Sequence, residues 1–417
     1  MVRRFHADPR VQATALLLQE RVPRHAPITQ PRPAEATRVT AAIPAGALRR
    51  FRSPHTRYPH AQFLSNGAYV VVVTNAGGGA SLCRGKAVTR YREDATRDPG
   101  SQFLYLRDVR SGSVWSATYQ PTAREPEEYL VTFQAERVVF RRRDDDFATQ
   151  LDIAVSTEDD VEVRRLSVTN LSDRPRELEI TSYGEIALAA LTDDLAHPAF
   201  GKLFIETEFL PESAALICAR RPRSPEDAGM WAVHVLSIEG RMQGPVEWET
   251  DRMRFLGRGR GPEDPAALDG RALSGTTGAV LDPIVSLRQR IRLQPGAFVR
   301  IAFATGVATS RDAALAIAQK YHDPSATART FALAFTQAQS ELRHMSISSD
   351  EAMLYDRLAS RVLHSDGSLR AAVARRIRSS SLMRSPRSRK TPPGRCFQAP
   401  HGPVSSSAAS WTCISSR

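Results

Sequence analysis

The chain has 417 residues and a hydrophobic content of 41%, which is typical of a globular protein with one large domain or two to three ordinary ones. No apolar run approaches the roughly 18 residues that cross a bilayer, so no membrane span is predicted. The net charge of +12 lies at the chain ends, with +8 in residues 1–60 and +9 in residues 375–417. Residues 61–374 carry −5, which argues against specific nucleic-acid binding by the body.

The first 60 residues show little globular pattern. Residues 11–24 have a short helical pattern that ends at Pro23. Residues 25–60 are rich in Pro, Arg, Ala and Thr, which is typical of an extended connector.

From residue 66 to about 308 the pattern predicts closely spaced β-strands. Apolar and polar side chains alternate in residues 151–155 and 161–166, which predicts antiparallel strands with one solvated face. Turn residues at 170–175 predict a β-hairpin between two such strands. About a dozen strands without interleaved helices favour one large β-sandwich. The predicted strands cover residues 69–74, 102–107, 114–119, 129–133, 137–141, 148–156, 161–169, 176–186, 202–208, 215–219, 231–237, 285–293 and 298–305.

At Ser310 the pattern changes to that of helices. Ser310 can cap a helix over residues 311–321, and a second helix is predicted over 326–345. Ser348 and Glu351 have the spacing of a capping box, which predicts a third helix up to Leu363.

After about Ala371 the chain has no Asp or Glu and no apolar periodicity. This composition predicts a disordered basic tail. A shifted reading frame would produce the same loss of carboxylates, and a resequenced gene that continues in frame past Arg370 without this shift would remove that hypothesis. The predicted parts of the chain are 1–59 (N-terminal helix and connector), 60–308 (β-sandwich), 309–370 (linker helices) and 371–417 (tail).

The four cysteines, at positions 83, 218, 396 and 413, lack the spacing of a metal site. They are too few and too scattered for a disulfide scaffold, which fits a reducing compartment. The charged start leads into no apolar segment, so no signal peptide is predicted. These features predict a cytoplasmic protein without a metal or cofactor.

Residues 77–79 are three consecutive glycines directly after the apolar strand at 69–74. Glycine permits positive φ and close packing, so a sharp turn is predicted there. Phosphate-binding loops lead into a helix and usually carry a lysine, which does not fit this turn. The charged residues 90–98 follow, and we expect them to be presented to solvent.

Segments around this turn resemble glycoside hydrolase family 94, formerly glycosyltransferase family 36, and within it the large cyclic β-1,2-glucan synthases. The resemblance continues less densely through residues 161–187, 192–194 and 197–200 into the linker helices, and it covers roughly residues 1–370. The segments with the densest resemblance are TNAGGG (74–79) with Ser81, AVTRYREDATRD (87–98), YLRD (105–108), and WS (115–116) with QPT (120–122).

The resemblance implies a β-supersandwich, linker helices, an (α/α)₆ barrel and a small C-terminal β-domain. In the family the barrel carries the carboxylic acid that protonates the leaving sugar oxygen while phosphate attacks with inversion. No segment here corresponds to that barrel, and the start of the chain resembles an internal piece of the synthases. We therefore expect a truncated or mis-framed gene product, whose parent synthase would be associated with the inner membrane.

Pairs of acidic residues are the first candidates for sugar chemistry, which needs an acid and a nucleophile on either side of the bond. Adjacent residues on a strand point to opposite faces, so the pairs 93–94 and 193–194 are not expected to act as a facing pair. The acidic runs 144–146 and 159–160 are predicted to be solvated turns.

The candidate substrate-rim residues are Arg90, Arg92, Asp94 and Trp115, and no catalytic or metal-binding residue is predicted. The arginines can bind sugar hydroxyls or phosphate, or they can form a salt-bridge network that holds the loop against a barrel. Trp115 can stack on a sugar ring, although aromatic residues on strands more often belong to the core.

The first functional hypothesis is a carbohydrate-binding and scaffolding supersandwich of a glucan synthase or phosphorylase, inactive alone. Its expected partners are a β-glucan or oligosaccharide and the (α/α)₆ barrel of the parent protein. The alternative is a stand-alone carbohydrate-binding β-sandwich without an enzymatic partner. A third hypothesis is non-specific nucleic-acid association through the basic tail.

Overall fold

The structure is a computed structural model that describes residues 48–364 except 93, 95, 101, 223–228 and 241. The predicted helix at 11–24 and the tail at 371–417 lie outside the described residues, as does most of the connector. The described part is mainly β, with two large antiparallel sheets followed by helices, as predicted. None of its helices combines the length and the hydrophobicity that a bilayer crossing requires.

The strands are numbered along the chain, and each sheet is given in spatial order. The first sheet contains β1 (Arg49–Phe51), β8 (Glu128–Phe133), β9 (Arg137–Asp144), β10 (Phe147–Val155), β11 (Val161–Asn170), β19 (Phe298–Ala308), β15 (Met230–Glu239), β14 (Ala215–Arg220), β13 (Ile205–Leu210) and β17 (Gly278–Ala279). The second contains β16 (Met242–Asp251), β18 (Pro283–Leu293), β12 (Arg176–Ala190), β5 (Lys86–Thr89), β4 (Gly79–Cys83), β3 (Tyr69–Thr74) and β2 (Ala61–Ser65), with β6 (Gln102–Asp108) and β7 (Val114–Ser116) continuing from β12.

All thirteen predicted strands are present, with ends that differ by a few residues. The prediction missed β1, β2, β4, β5, β16 and β17. Strands β4 and β5 have only five and four residues, and they flank a turn at Arg84 and Gly85. Segments this short show too little alternation to be recognised.

The predicted β-hairpin at residues 170–175 is wrong. Strand β11 belongs to the first sheet and β12 to the second, so this loop carries the chain from one sheet to the other. The buried amide of Asn170 holds the crossing, because it donates hydrogen bonds to the carbonyl oxygens of Arg174 at 2.7 Å and Leu293 at 3.2 Å. Its side-chain oxygen accepts the backbone N–H of Ser172 at 3.0 Å.

The alternating side chains of β11 also differ from the prediction of an apolar face toward the core and a polar face toward solvent. Val161 and Val163 lie on the outer face of the first sheet, in an apolar cluster with residues of the linker helices. Glu162 and Arg164 point between the two sheets and are 0% and 2% exposed. Glu162 accepts a hydrogen bond from the Ser81 hydroxyl of the second sheet at 2.9 Å. Both faces of this region are therefore buried, and neither is solvated.

Six α-helices accompany the sheets in the described residues. The three linker helices are confirmed, and the Ser348 and Glu351 capping box is present. Ser310 caps the first of them by accepting the N–H of Ala313 at 3.2 Å. The helices are α1 (Leu191–Ala196), α2 (Pro198–Lys202), α3 (Arg252–Leu256), α4 (Arg311–His322), α5 (Pro324–His344) and α6 (Ser349–Leu363).

Helix α6 lies against β2, the edge strand of the second sheet. The backbone N–H of Ala61 donates to the Ser360 hydroxyl at 2.8 Å. The side-chain amide of Gln62 donates to Asp356 at 2.8 Å. Helix α6 therefore uses hydrogen-bonding groups that an edge strand would otherwise leave open.

Candidate functional site

A cluster of charged side chains joins six segments of the second sheet and its neighbouring helices, and we call it the Arg90 network. Arg90 directly follows β5, Glu185 lies in β12, and Asp282 directly precedes β18. The short helices α1 to α3 supply the remaining partners. The members of the network are Arg90, Arg92, Glu185, Asp194, Lys202, Arg252 and Asp282.

Arg90 lies at the centre of the network and is 5% exposed. Its Nε and Nη2 atoms contact the Asp194 carboxylate at 3.2 and 3.1 Å. Its Nη1 atom lies 3.3 Å from Glu185 Oε2 and 3.4 Å from Asp282 Oδ1. Arg92 adds a second guanidinium on Asp194, at 3.3 Å. The expectation that residues 90–98 are presented to solvent is therefore wrong for Arg90, whose charge is compensated inside the protein.

The outer part of the network ties the short helices together. Lys202 Nζ lies 2.7 Å from Asp282 Oδ2, and Arg252 Nε lies 2.8 Å from Glu185 Oε1. The Tyr183 hydroxyl donates to the same Glu185 oxygen at 2.9 Å. Arg252 Nη1 also lies 3.7 Å from Asp282 Oδ2, so Asp282 joins helices α2 and α3 to the start of β18.

The network is electrostatically satisfied. Burial alone lowers the pKa of Arg90, but the hydrogen bonds and charge of Asp194 outweigh it and raise the pKa. Burial also disfavours the charged form of Glu185 and by itself raises the pKa of this carboxyl. The charge of Arg252 outweighs burial, so the pKa of Glu185 is lowered. Both groups therefore stay charged near neutral pH. A general acid needs a pKa shifted toward neutrality, and the pKa of Glu185 is shifted the other way.

Asp94 has a local structural role in the loop. Its carboxylate accepts the backbone N–H groups of Thr96 at 2.9 Å and Arg97 at 3.1 Å. The hydrogen bond from the Thr96 hydroxyl lowers the pKa of Asp94. In this arrangement Asp94 closes a turn, while Arg90 and Arg92 point to Asp194 instead. The structure therefore brings together two of the four sequence candidates.

The glycine turn closes around Asp98, which the sequence did not single out. A Cβ on Gly78 would lie 2.0 Å from Asp98 Oδ1, and a Cβ on Gly77 would lie 2.3 Å from the Thr118 Cβ. The Thr74 hydroxyl donates to Asp98. Burial raises the pKa of Asp98 to about 6, although the Thr74 hydrogen bond opposes this shift. The glycines are needed because two chain segments approach the turn too closely for a side chain.

Trp115 lies in the sandwich core and not at a rim. It is 1% exposed, and its ring stacks on Phe147 with the centroids 5.4 Å apart. The guanidinium of Arg124 lies 5.9 Å from the ring centroid. A sugar therefore has no open ring face to stack on, which corrects the proposal of Trp115 as a substrate-rim residue.

The acidic runs match the predicted solvated turns in part, since Asp145 and Asp146 lie in a turn with side chains 61% and 49% exposed. Asp144 is buried and pairs with Arg142 at 2.6 Å, so the prediction is wrong for this residue. Asp159 accepts from the Tyr321 hydroxyl of α4 at 2.9 Å, and Asp160 pairs with Arg84 at 2.8 Å. Among the described residues, no group of three or more His, Cys, Asp or Glu side chains is arranged to hold a metal ion.

Large apolar side chains are exposed on the segments that carry the Arg90 network. Leu195 follows Asp194, and Leu281 precedes Asp282 and is 74% exposed. Phe200 and Leu203 flank Lys202, and Met253 follows Arg252. We call these five residues the apolar flank. Sequence reasoning missed it, together with Glu185, Lys202, Arg252 and Asp282, because no pattern in the sequence links residue 90 to residue 282.

Two facing antiparallel sheets followed by linker helices define a β-supersandwich domain. The family model of the glycosyl hydrolase 94 supersandwich domain matches residues 46–324. The chain therefore belongs to the glycosyl hydrolase 94 family.

Individual relatives include a synthase and several phosphorylases. The chain is 34% identical over 370 residues to the cyclic beta-(1,2)-glucan synthase NdvB of Rhizobium meliloti (strain 1021), which covers 88% of this chain and 13% of that protein. It is 24% identical to the N,N'-diacetylchitobiose phosphorylase of Vibrio proteolyticus, over 61% of this chain and 31% of that protein. A solved bacterial glucoamylase complexed with acarbose aligns with a TM-score of 0.37 at 9% identity, over 72% of this chain and 42% of that chain. The chain thus spans about a third or less of these two curated relatives.

Proposed function

We propose that this chain is a carbohydrate-binding and scaffolding supersandwich that docks a helical catalytic domain and is inactive alone. The glucan synthase among its relatives supports the assignment to glucan metabolism, and the phosphorylases support carbohydrate metabolism in general. The observation that carries the proposal is the apolar flank beside a charge network that is already satisfied.

A satisfied charge network next to exposed apolar side chains is more typical of a docking surface than of a catalytic site. The network fixes α1, α2 and α3, and each of its charged groups has at least one partner of opposite charge, so the exposed apolar side chains are held on a rigid base. Exposed large apolar side chains on neighbouring segments are typical of protein–protein contacts. Burying a side chain of this size contributes roughly 1.5–3 kcal/mol.

Helix α6 offers a second surface for the same partner. Its Ser360 and Asp356 side chains face β2, while Leu354, Leu358 and Val362 are 50%, 44% and 74% exposed. The spacing of four residues places these three side chains on one stripe of the helix. Helices of a barrel-type catalytic domain can pack against such a stripe.

The docking proposal is tested by mixing the chain with a separately produced barrel region of a family 94 relative. Binding is measured by calorimetry and by native mass spectrometry. We expect a 1:1 complex that Phe200→Ser combined with Leu281→Ser weakens at least about tenfold, because two apolar anchors are lost. Met242→Ser is the matched control, since Met242 is 51% exposed on β16 outside the flank. No complex, or equal weakening by the control, contradicts the docking role.

The claims that the chain binds carbohydrate and is inactive alone are tested on the isolated chain. We expect heat of binding on titration with β-1,2-glucan oligomers and no phosphate release from glucose 1-phosphate. Turnover above a heat-denatured control contradicts the claim that the chain is inactive alone. Absence of oligomer binding at millimolar concentration contradicts the carbohydrate-binding part.

A further inference from the structure

An open trough crosses the outer face of the first sheet, on the side of β11 away from the sandwich core. It encloses about 980 Å³. Antiparallel register places its side chains in two rows perpendicular to the strands. One row is Arg141, Gln150, Ser167 and Arg300, on β9, β10, β11 and β19. The other is Arg143, Ala148, Thr169 and Phe298 on the same four strands.

The shape of the trough follows from the size of these side chains. On the two central strands the floor is formed by the short side chains of Ala148, Ser167 and Thr169 together with the longer Gln150. The outer strands carry the long side chains of Arg141 and Arg143 on one wall and Phe298 and Arg300 on the other. Neighbouring strands lie about 4.8 Å apart, so the walls are about 14 Å apart at the backbone. The trough ends at the next row of side chains, which contains Arg165. Helix α5 covers this row, because the guanidinium carbon of Arg165 lies 4.1 Å from the ring centroid of Phe331.

The walls carry an excess of positive charge, although the carboxylate of Glu128 also lines the trough. In the part of the chain that the structure describes, Arg141 donates through Nε to Gln150 at 3.0 Å. Arg300 donates through Nη1 to Glu239 at 3.2 Å. Arg143 is paired with Glu127 at 3.2 Å and Glu128 at 3.8 Å. Among the described residues, the Nη1 and Nη2 atoms of Arg141 and the Nε and Nη2 atoms of Arg300 therefore have no carboxylate partner.

Phe298 supplies the apolar part of the surface. Its ring is 60% exposed, and the Arg300 guanidinium lies 5.3 Å from the ring centroid. An exposed aromatic ring beside free guanidinium forks and a hydroxyl-bearing floor matches the polar and apolar faces of a sugar ring. Because the guanidinium forks bind carboxylate or phosphate oxygens bidentately, the trough favours a sugar that carries such a group.

We propose that this trough binds an oligosaccharide that carries isolated carboxylate or phosphate groups. This inference rests on the proposed carbohydrate-binding function and adds the place and the charge of the ligand. The ligand is not a polyanion such as a nucleic acid, because residues 61–374 carry a net charge of −5 and Arg143 and Arg300 already share glutamates.

The test compares matched probes by calorimetry with the full chain at low salt. The probes are a neutral β-1,2-glucan oligomer, the same oligomer with some primary alcohols oxidised to carboxylates, the same oligomer carrying one phosphate ester, and a single-stranded oligonucleotide of equal charge. We expect at least one acidic oligomer to bind about tenfold more tightly than the neutral one, since one charge-assisted hydrogen bond corresponds to about that factor. A preference for the carboxylate or for the phosphate oligomer identifies which group the trough takes.

The variants decide whether the trough is the site. Arg141→Gln combined with Arg300→Gln is expected to remove the preference for the acidic oligomer. Arg221→Gln combined with Arg311→Gln is the control with the same charge change, because these arginines form exposed ion pairs with Glu206 and Glu208 elsewhere. The control is expected to keep the preference.

Three results overturn the inference. They are equal binding of acidic and neutral oligomers, a preference that survives in the trough variant, and tighter binding of the oligonucleotide. If the neutral oligomer still binds and the barrel region still docks, these results leave the proposed function intact. Loss of docking with an intact, trough-dependent acidic preference overturns the scaffolding role and not the trough.

Discussion

Replacing Arg90 by Met tests whether the Arg90 network is a structural clamp. The substitution removes the central guanidinium but keeps a side chain of similar length. Glu185 then keeps Arg252 and the Tyr183 hydroxyl, and Asp282 keeps Lys202. Among the described residues, the ion-pair partner that Asp194, which is 3% exposed, then keeps is Arg92 at 3.3 Å.

The loss of stability therefore comes mainly from the buried carboxylate of Asp194. Removing one partner of a buried ion pair typically costs about 3–5 kcal/mol, because the remaining charge is left without compensation. Arg92 still compensates Asp194 in part, so we expect the lower end, a loss of about 3 kcal/mol in the free energy of unfolding. Asp194→Asn in the Arg90→Met background removes the uncompensated charge and is expected to restore at least about 1 kcal/mol.

Urea unfolding followed by tryptophan fluorescence measures these differences in a double-mutant cycle. The matched control is Arg311→Met, which breaks an exposed ion pair with Glu208 at 2.7 Å and is expected to change stability by at most about 1 kcal/mol. A loss below about 1 kcal/mol for Arg90→Met, or additive effects of the Arg90 and Asp194 substitutions, refutes the clamp.

Three further substitutions test other parts of the structure. Gly78→Ala places a Cβ 2.0 Å from Asp98 Oδ1 and is expected to lower the free energy of unfolding by about 1–3 kcal/mol. The control is Gly201→Ala, which is expected to be neutral or stabilising because Gly201 has no atom within 4 Å of the added Cβ and no positive φ. Similar effects of the two substitutions on the unfolding midpoint contradict this account. Asn170→Ala leaves buried carbonyl oxygens at the sheet crossing without a donor and is expected to cost about 2–3 kcal/mol in urea unfolding, and a cost below about 0.5 kcal/mol shows that the amide does not hold the crossing. His234 is buried between the Ser182 and Thr305 hydroxyls, and burial lowers its pKa to about 3, so the unfolded chain takes up the proton first. Stability that is present above pH 6.5 is therefore lost as pH falls toward 3, at up to about 1.4 kcal/mol per pH unit. His234→Gln is expected to remove this slope and His344→Gln to keep it, and an unchanged slope in His234→Gln rules out His234 as its source.

The sequence was sufficient for the fold class because alternation and helix caps are local signals. The strand at 161–169 and the cap at Ser310 depend on neighbours within a few residues, and both are present. The orientation of β11 was not predictable in the same way. Glu162 points inward because Ser81, far away in the sequence, offers it a hydrogen bond, and Val163 points outward because the linker helices cover that face.

The candidate site was predictable only in part for the same reason. Arg90 and Arg92 were found because they lie in a dense motif, and their salt-bridge role was one of the two alternatives considered. Their shared partner Asp194 lies in the acidic pair 193–194, and nothing local to this pair indicates that Asp194 binds the two arginines. The carboxylate of Asp282 is 192 residues from Arg90 and has no local signal. Burial of a charge depends on such distant partners, so the sequence alone could not distinguish a solvated arginine from a buried one.

The contact between α6 and β2 has a consequence for the order of folding. The Ala61 N–H and the Ser360 hydroxyl that accepts its hydrogen bond are separated by 299 positions in the chain. During synthesis the β2 edge of the second sheet therefore stays uncovered until the whole supersandwich, which ends at Ala308, and the linker helices have left the ribosome. Contacts of such long separation form late, because a large loop must close first. The nascent domain thus exposes a strand edge for most of its synthesis, and the last linker helix is the element that ends this aggregation-prone stage.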